Sequence, residues 1–462
     1  MSKSFEVQGV ATVPESARNA KPASIITIFV GSNLSLSVMV FGWLSILYGL
    51  SWWQSVSAIV IGTLVASIAV SFSALLGWRG STNNSVASGA FFGVKGRLIA
   101  SFVGLLLCVQ YVALTVWTGG ETISAGWARL TETNESDVTV AIGYGAIALA
   151  IVLFAILGYQ MIVRLNTWVA PVMIVLVLLS IVGLWDAFDP SYAGDPSVYA
   201  LGSLNATWLL AALTAGAAGP ISFVTQTGDW SRYISEKSYS ARQIVLNTFI
   251  AMFVGLSIPT LFGAFVATAA FDEDSFASGY VAGVPSWLLI PLLLIGFVGS
   301  LGQGSINLYS MGLDLDAIFP RLSRIRSTAL VALIATGLVF VGKFIYDAEA
   351  AVTNSVLFLT CLATSWIAVT LYGYFAVSGV LDKSALQAFN ERSTGGIYWY
   401  RGGWNFSAVT AWIIGSVVGI FGISSVDYVG PISKFLGDVD VSIPAAALAG
   451  VAIYAVLRRF DK

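Results

Sequence analysis

The chain has 462 residues, 57% of them hydrophobic and only 10% charged, with a mean hydropathy of +0.84 and a formal net charge of −2. A soluble domain carries about 25% charged residues, so this composition excludes one and specifies an integral membrane protein. Histidine is absent, which removes imidazole metal sites, histidine proton relays and most nucleophilic triads.

No H-E-x-x-H, phosphate-binding loop or paired-cysteine motif occurs, and an ATP-driven pump or a membrane metalloprotease needs one of these. Cys108 and Cys361 both sit in apolar runs and read as small core residues, with no disulfide expected. The first 22 residues are polar and the first apolar run is long enough to span, so no cleavable signal is expected.

At roughly 20 residues per crossing, the sequence predicts twelve spans. They cover 24–49, 53–77, 97–128, 138–158, 163–185, 203–227, 243–270, 286–313, 327–346, 351–379, 405–424 and 441–458. With the N-terminus inside, 19 of the 22 lysines and arginines fall in inner segments, from Lys3 to Lys462. Only Arg129, Lys343 and Lys434 fall outside. That positive-inside bias puts both termini in the cytoplasm of a cell-membrane protein.

The first span carries Gly31-Ser32-Asn33 and then Leu34-Ser35 near mid-depth. Five spans later, in the opposite direction, the sixth breaks at Gly216, Gly219 and Pro220. Glycine frees the backbone and proline removes a donor, so both helices are expected to be discontinuous. A matched pair of interrupted, oppositely inserted helices is the sequence pointer to an inverted-repeat transporter. The competing explanation, small residues that let helices pack closely, suits either break alone better than the pair.

Three spans add polar or aromatic groups at the same depth. The third has Gln110 and Tyr111; the sixth has Ser222, Phe223, Thr225 and Gln226; the eighth has Gln303, Ser305 and Asn307. Uncharged amides and hydroxyls beside aromatic rings suit a flat, neutral, hydrogen-bonding heterocycle. Charged groups are few. Glu121 is a candidate proton carrier or a residue of an aqueous vestibule. Asp229 and Arg232 are a candidate inner gate, and Asp314 and Asp316 read as interfacial charges.

Four stretches resemble the nucleobase:cation symporter-1 family of purine–cytosine, uracil, allantoin and hydantoin permeases. They are GWRGSTNNSVASGAFFGVKG at 77–96 leading to TGGE at 118–121, TGDWSRY at 227–233, INLYSMGLDL at 306–315 and YRGGWNFSAVTAWIIG at 400–415. The resemblance implies an all-α, LeuT-like fold: a tail at 1–23, inverted five-helix repeats at 24–185 and 203–379, and two further helices over 405–458. It implies a substrate site made by Asn33, Tyr111, Ser222, Phe223, Gln303 and Asn307, with Tyr111 and Phe223 as the stacking pair, and the residues themselves add Gln110 and Gly219 to it. It implies a coupling-cation position around Gly31, Leu34 and Val298. Sodium-coupled members carry two hydroxyl residues just before the first amide of span eight. Leu301 and Gly302 stand there in this chain, so proton coupling is favoured, with Glu121 as the carrier.

The expected activity is therefore symport of a nucleobase-like solute by alternating access, cytosine or a purine before others. Amino-acid or vitamin-precursor transport on the same scaffold is the alternative within the class. An enzyme or a non-transporting sensor stands outside it, and neither a catalytic constellation nor a soluble output domain supports those. No cofactor beyond a coupling proton or sodium ion is expected, no nucleic-acid partner, and a monomer in the bilayer.

Overall fold

Side-chain caps set where several of the apolar runs of this chain begin to coil. Ser51, Ser136 and Ser240 each close a reciprocal cap with the residue three positions on, Gln54, Thr139 and Gln243. The computed structural model describes residues 9–270, 275–346 and 349–460; Lys3, Lys462 and residues 1–8 of the tail lie outside them. Among the described residues every regular element is helical, with only isolated β-bridges between loops.

The chain begins with α1 (Ala23–Asn33) and α2 (Leu36–Leu47), then α3 (Trp52–Ser71), α4 (Ala74–Gly80) and two single turns, α5 (Asn84–Ala87) and α6 (Gly89–Phe92). Three long helices follow: α7 (Leu98–Thr131), α8 (Asp137–Leu157) and α9 (Tyr159–Leu184). The second half opens with α10 (Leu204–Ala218), a 3-10 turn at Pro220–Phe223 and α11 (Thr227–Ser231). It continues with α12 (Ala241–Ala269), α13 (Phe276–Gly283), α14 (Leu289–Ile318), α15 (Arg324–Val341) and α16 (Glu349–Ala376). The remaining helices are α17 (Lys383–Leu386), α18 (Phe406–Phe421), α19 (Pro431–Phe435) and α20 (Ser442–Leu457).

Ten helices among the described residues are long and apolar enough to cross a membrane, and the bent α1–α2 pair makes an eleventh. The expected span at 405–424 is shorter, 16 residues in α18, because Asn405 caps its start and the helix ends at Phe421. The expected span at 286–313 is longer: α14 runs on to Ile318. That moves Asp314 and Asp316 from an interface into the bundle, where they are 3% and 8% exposed.

Both expected breaks are present, each slightly later than the sequence suggests. α1 and α2 meet at a 65° bend, with Ser35 fully extended between them. α10 stops at Gly219, whose φ of −85° and ψ of −117° leave the helical region, and Pro220 starts a tighter turn. Glycines then let backbones touch. A methyl group at Gly42 would lie 1.7 Å from Thr260 O, and one at Gly263 would lie 1.8 Å from Met39 O, so α2 and α12 cross without side chains between them. α7 packs along α14 in the centre, whereas α8, α9 and α15 present Leu149, Leu153, Trp168, Val182, Leu333 and Leu338 outward, as a lipid-facing shell requires.

Residues 9–20 form a strap over one end of the bundle, hereafter the tail face. Val10 N donates to Asp316 Oδ2 at 3.1 Å, and Thr82 Oγ1 donates to Val10 O at 2.7 Å. Arg18, 3% exposed, donates to Trp78 O and Ile234 O at 2.6 Å and to Arg232 O at 3.1 Å. Its other nitrogen meets Glu236 at 3.1 Å, and Arg79 and Lys383 meet the same carboxylate at 2.9 and 2.7 Å. One acid thus gathers three cations from the strap, from α4 and from α17.

Candidate functional site

The two breaks and α14 converge at the centre of the bundle. Gly302 packs on α1: a methyl group there would sit 3.1 Å from Gly31 O and 3.1 Å from Ser32 Cα. Gly299, one turn earlier, packs on Leu34 O in the same way, at 2.9 Å. These contacts bring Asn33 and Gln303, the next residues along, to the same junction. Both are fully buried, and none of their four amide atoms has a partner among the described residues. Buried amides are ordinarily satisfied. Two at one junction with nothing to bond are groups that a ligand can complete.

The ring side of the site comes from α7 and the turn after α10. Breaking α10 at Gly219 frees the Ala218 carbonyl, which accepts from the Tyr111 hydroxyl and from Ser222 Oγ. Ser222 also donates to Gly219 O at 2.6 Å. The same turn holds Phe223 with its centroid 6.0 Å from Tyr111 at 36°, and 5.4 Å from Phe29 edge-on. A flat ring between two others needs about 7 Å, two contacts of about 3.5 Å each. Tyr111 and Phe223 therefore stand as a stacking pair about 1 Å too close to hold a ring between them, in a centre with both side chains fully buried.

The remaining predicted residues divide. Asn307 joins the site but is engaged: it donates to Gln303 O at 3.0 Å and accepts from Gln226 Nε2 at 3.1 Å, tying α14 to the broken segment. Gln110 points elsewhere, donating to Ser355 on α16 at 3.2 Å. One turn beyond Tyr111, Thr115 Oγ1 meets Ser37 Oγ at 3.2 Å and bridges α7 to α2. Nothing in its residue type singled it out.

Gly31, Leu34 and the stretch after Val298 do meet, at the α1–α14 contact just described. Leu301 and Gly302 supply no side-chain oxygen there. Ser300 points the other way, donating to Gly296 O at 2.6 Å and Thr115 O at 3.2 Å. Asn166 on α9 was missed by sequence reasoning, because a lone amide in an apolar helix reads as packing glue. Its Oδ1 has no partner among the described residues and would lie 3.0 Å from a methyl at Gly31.

Glu121 is far from this centre in chemistry. It pairs with Lys343 at 2.5 Å, accepts from the Tyr144 hydroxyl at 3.2 Å, and lines a cavity of about 300 Å³ with Glu135 and Asp137. That is the vestibule alternative. Arg232 closes the tail face. It donates to Gly9 O at 2.5 Å and to the Tyr309 hydroxyl at 2.9 Å, above a layer in which Trp230 lies 5.2 Å from Tyr309 and Tyr159 stacks on Tyr233 at 4.0 Å. Asp229 is buried three residues earlier, on the short helix α11 that Arg232 caps.

This geometry has relatives. The sequence profile described as permease for cytosine/purines, uracil, thiamine, allantoin matches residues 12–442. The chain belongs to that permease family. It is therefore a multi-pass membrane transporter and not an enzyme. The putative purine-cytosine permease YxlA of Bacillus subtilis is 22% identical, over 98% of this permease and 94% of the relative. An uncharacterized permease of Schizosaccharomyces pombe is 20% identical, over 94% and 75%. Among solved structures, the permease superposes on Mhp1, a nucleobase-cation-symport-1 family transporter, in a closed conformation with bromovinylhydantoin bound. The TM-score is 0.75 at 18% identity, covering 99% and 96% of the two chains. Inward-facing Mhp1 gives a TM-score of 0.71 at the same identity, covering 99% and 95%. These likenesses fix the fold as LeuT-like.

The stacking role of Phe223 is open to direct test. Phe223→Ala should weaken substrate binding by about 1–3 kcal/mol, roughly 5- to 150-fold, the usual worth of one base–aromatic stack. Calorimetry on the purified permease reads this directly, and unchanged affinity would place the ligand elsewhere.

Proposed function

We propose that the protein is a secondary active importer of a nucleobase or closely related heterocycle, cytosine or a purine first, coupled to a proton and working by alternating access. The observation that carries the reading is the pair of unpartnered, fully buried amides, Asn33 and Gln303, beside Tyr111 and Phe223 at two helix breaks. Amides offer donors and acceptors in one plane, which matches the edge of a heterocycle, and no cation or acid lies among these four to select a zwitterion. Asn33, Gly219, Ser222, Gln303 and Asn307 would hold the edge and Tyr111 and Phe223 the faces.

Proton coupling is favoured because a sodium ion at Gly31 and Leu34 would find carbonyls but no hydroxyl from Leu301 or Gly302, and Ser300 donates to Gly296 O within α14 and to Thr115 O on α7. With the basic face inside, the tail face is the cytoplasmic one. Release to the cytoplasm then requires the strap and Arg232 to let go. The family description also names thiamine, so a vitamin precursor is the competing cargo.

The test is a thermal-shift screen of nucleobases, hydantoins, thiamine precursors and amino acids, followed by uptake into proteoliposomes. A ligand at 100 times its Kd should stabilise the protein by about 2.7 kcal/mol. Uptake should follow an imposed proton gradient and survive replacement of sodium by choline. A strict sodium requirement, or stabilisation by amino acids alone, overturns the reading.

A further inference from the structure

The polar stripe of α14 does not stop at the substrate site. Gln303, Asn307, Ser310 and Asp314 follow one another at helical spacing and share one face. The last of them lies about 10 Å nearer the tail face than Asn307, seven residues at about 1.5 Å each. On α7, Gly104, Cys108 and Tyr111 form the matching face. The two helices that bear Gln303 and Tyr111 therefore bear a second polar place two turns below.

That place is built. A methyl group at Gly104 would lie 2.3 Å from Asp314 Oδ2 and 3.1 Å from Thr225 Oγ1, so both oxygens converge on space kept open by a missing side chain. Ser85 Oγ donates to Asp314 Oδ1 at 2.8 Å. Thr225 and Ser310 are 2% and 1% exposed, and neither hydroxyl has a partner among the described residues. The charged and titratable groups around Asp314 are Asp229 from α11 and Cys108 from α7, with Asp316 two residues on along α14. Arg97, Arg232 and Arg324 act on Asp316. Among the described residues no lysine or arginine forms an ion pair with Asp314. An enclosed carboxylate that faces another carboxylate and no cation is a poor structural ion pair. It is suited to a group that is neutralised and recharged as the site opens and closes.

We infer that Asp314, cradled by Ser85 and Thr225 against Gly104, is the site that carries the coupling proton, in place of Glu121. Glu121 already has Lys343 as its counter-ion. The inference rests on the symport reading above. In the closed protein the O–H bond of the Asp314 carboxylic acid is intact. When the strap leaves the tail face, that bond breaks, the proton passes to water, and the carboxylate remains until the opposite face opens. The link to substrate is the segment after the break: Phe223 meets the ring of Tyr111, Thr225 Oγ1 and Asp314 Oδ2 border the same space at Gly104, and Gln226 bonds Asn307.

The experiment uses the full-length protein in proteoliposomes with a trapped pH dye and whichever nucleobase the wild type exchanges. Asp314→Asn should retain counterflow exchange of labelled substrate. It should lose substrate-linked acidification and at least about fivefold of proton-driven accumulation, the lower end of ordinary coupling between two sites. Wild-type acidification by that variant overturns the inference while leaving the transport reading intact. If the asparagine variant does not fold, Asp314→Glu is read instead. A displacement of the pH profile of uptake by about half a unit, the intrinsic difference between the two acids, supports the assignment, and an unchanged profile overturns it. A wild type that exchanges no nucleobase at all overturns the functional reading first, and this inference with it.

Discussion

Gln303→Met is expected to make the substrate-free protein more stable and, at the same time, a much poorer binder. Gln303 is fully buried with both amide atoms lacking partners among the described residues. An unsatisfied buried polar group costs about 1–3 kcal/mol. Methionine has similar volume and no polar atoms to leave unpaired. At about 2.1 cal/mol/K per residue of unfolding entropy, recovering that cost raises the melting temperature by about 1–3 °C in a chain of this length. Losing two ligand hydrogen bonds, each worth about 0.5–1.5 kcal/mol, lowers affinity by roughly 5- to 150-fold. The opposite signs make the test decisive. A variant that melts earlier and binds as before would show that Gln303 serves the bundle and not the ligand.

The second large effect is expected at Arg18→Ala. This one side chain holds three carbonyls, on Trp78, Arg232 and Ile234, and two carboxylates, on Glu15 and Glu236. Removing a partner from a buried, hydrogen-bonded charge costs about 3–5 kcal/mol, all of it from the state in which the strap is docked. A change of that size shifts an opening equilibrium by more than a hundredfold. A cysteine placed at Ser310, fully enclosed in the closed protein, should then react with a membrane-permeant thiol reagent much faster in the Arg18→Ala background. Equal labelling rates in the two backgrounds would mean that the strap is ornamental.

The same clamp has a pH signature. Burial pushes the Glu236 carboxyl up, but hydrogen bonds from Lys383, Arg18 and Arg79 outweigh that and hold it below the usual carboxylate range. A group lowered in the folded state contributes its stabilisation in full above its unfolded value, near 4.5, and loses it as pH falls through the lower folded one. The clamp should therefore be indifferent to pH from about 5 to 8 and weaken only in stronger acid. Transport that changes near neutral pH must draw on a different group, and Glu236→Gln should leave that change in place.

Fold class was legible because most runs are long and apolar, and several begin at a serine cap, as at Ser51, Ser136 and Ser240. The breaks were legible because Gly219-Pro220 and Gly31-Ser32-Asn33 are the wrong residues for the middle of a plain anchor. Tyr111, Phe223 and Gln303 could be read as a group because rings and amides fall at one depth on three spans, and the family resemblance added Asn33. Depth is all that such reading provides. Gln110 shares the depth of Tyr111 but turns about 100° away, to Ser355, and spacing along the chain does not show which neighbour waits there. Asp314 was misjudged for a different reason. Three arginines soon after it, at 321, 324 and 326, look like a membrane boundary, whereas α14 continues four residues past the aspartate with the strap covering its end. Long-range contacts from a tail more than 300 residues away leave no local trace in sequence.

The movable half of the closure over the tail face is residues 9–20, which precede every membrane-crossing helix among the described residues and dock on Arg232. The pocket and its lock are thus written in separate stretches of the gene. Turnover in such a protein can be retuned by changes near its amino terminus while the choice of cargo stays fixed. By the same logic, an affinity tag or fluorescent fusion placed there tampers with the latch, and for kinetic work one is better attached at the other end.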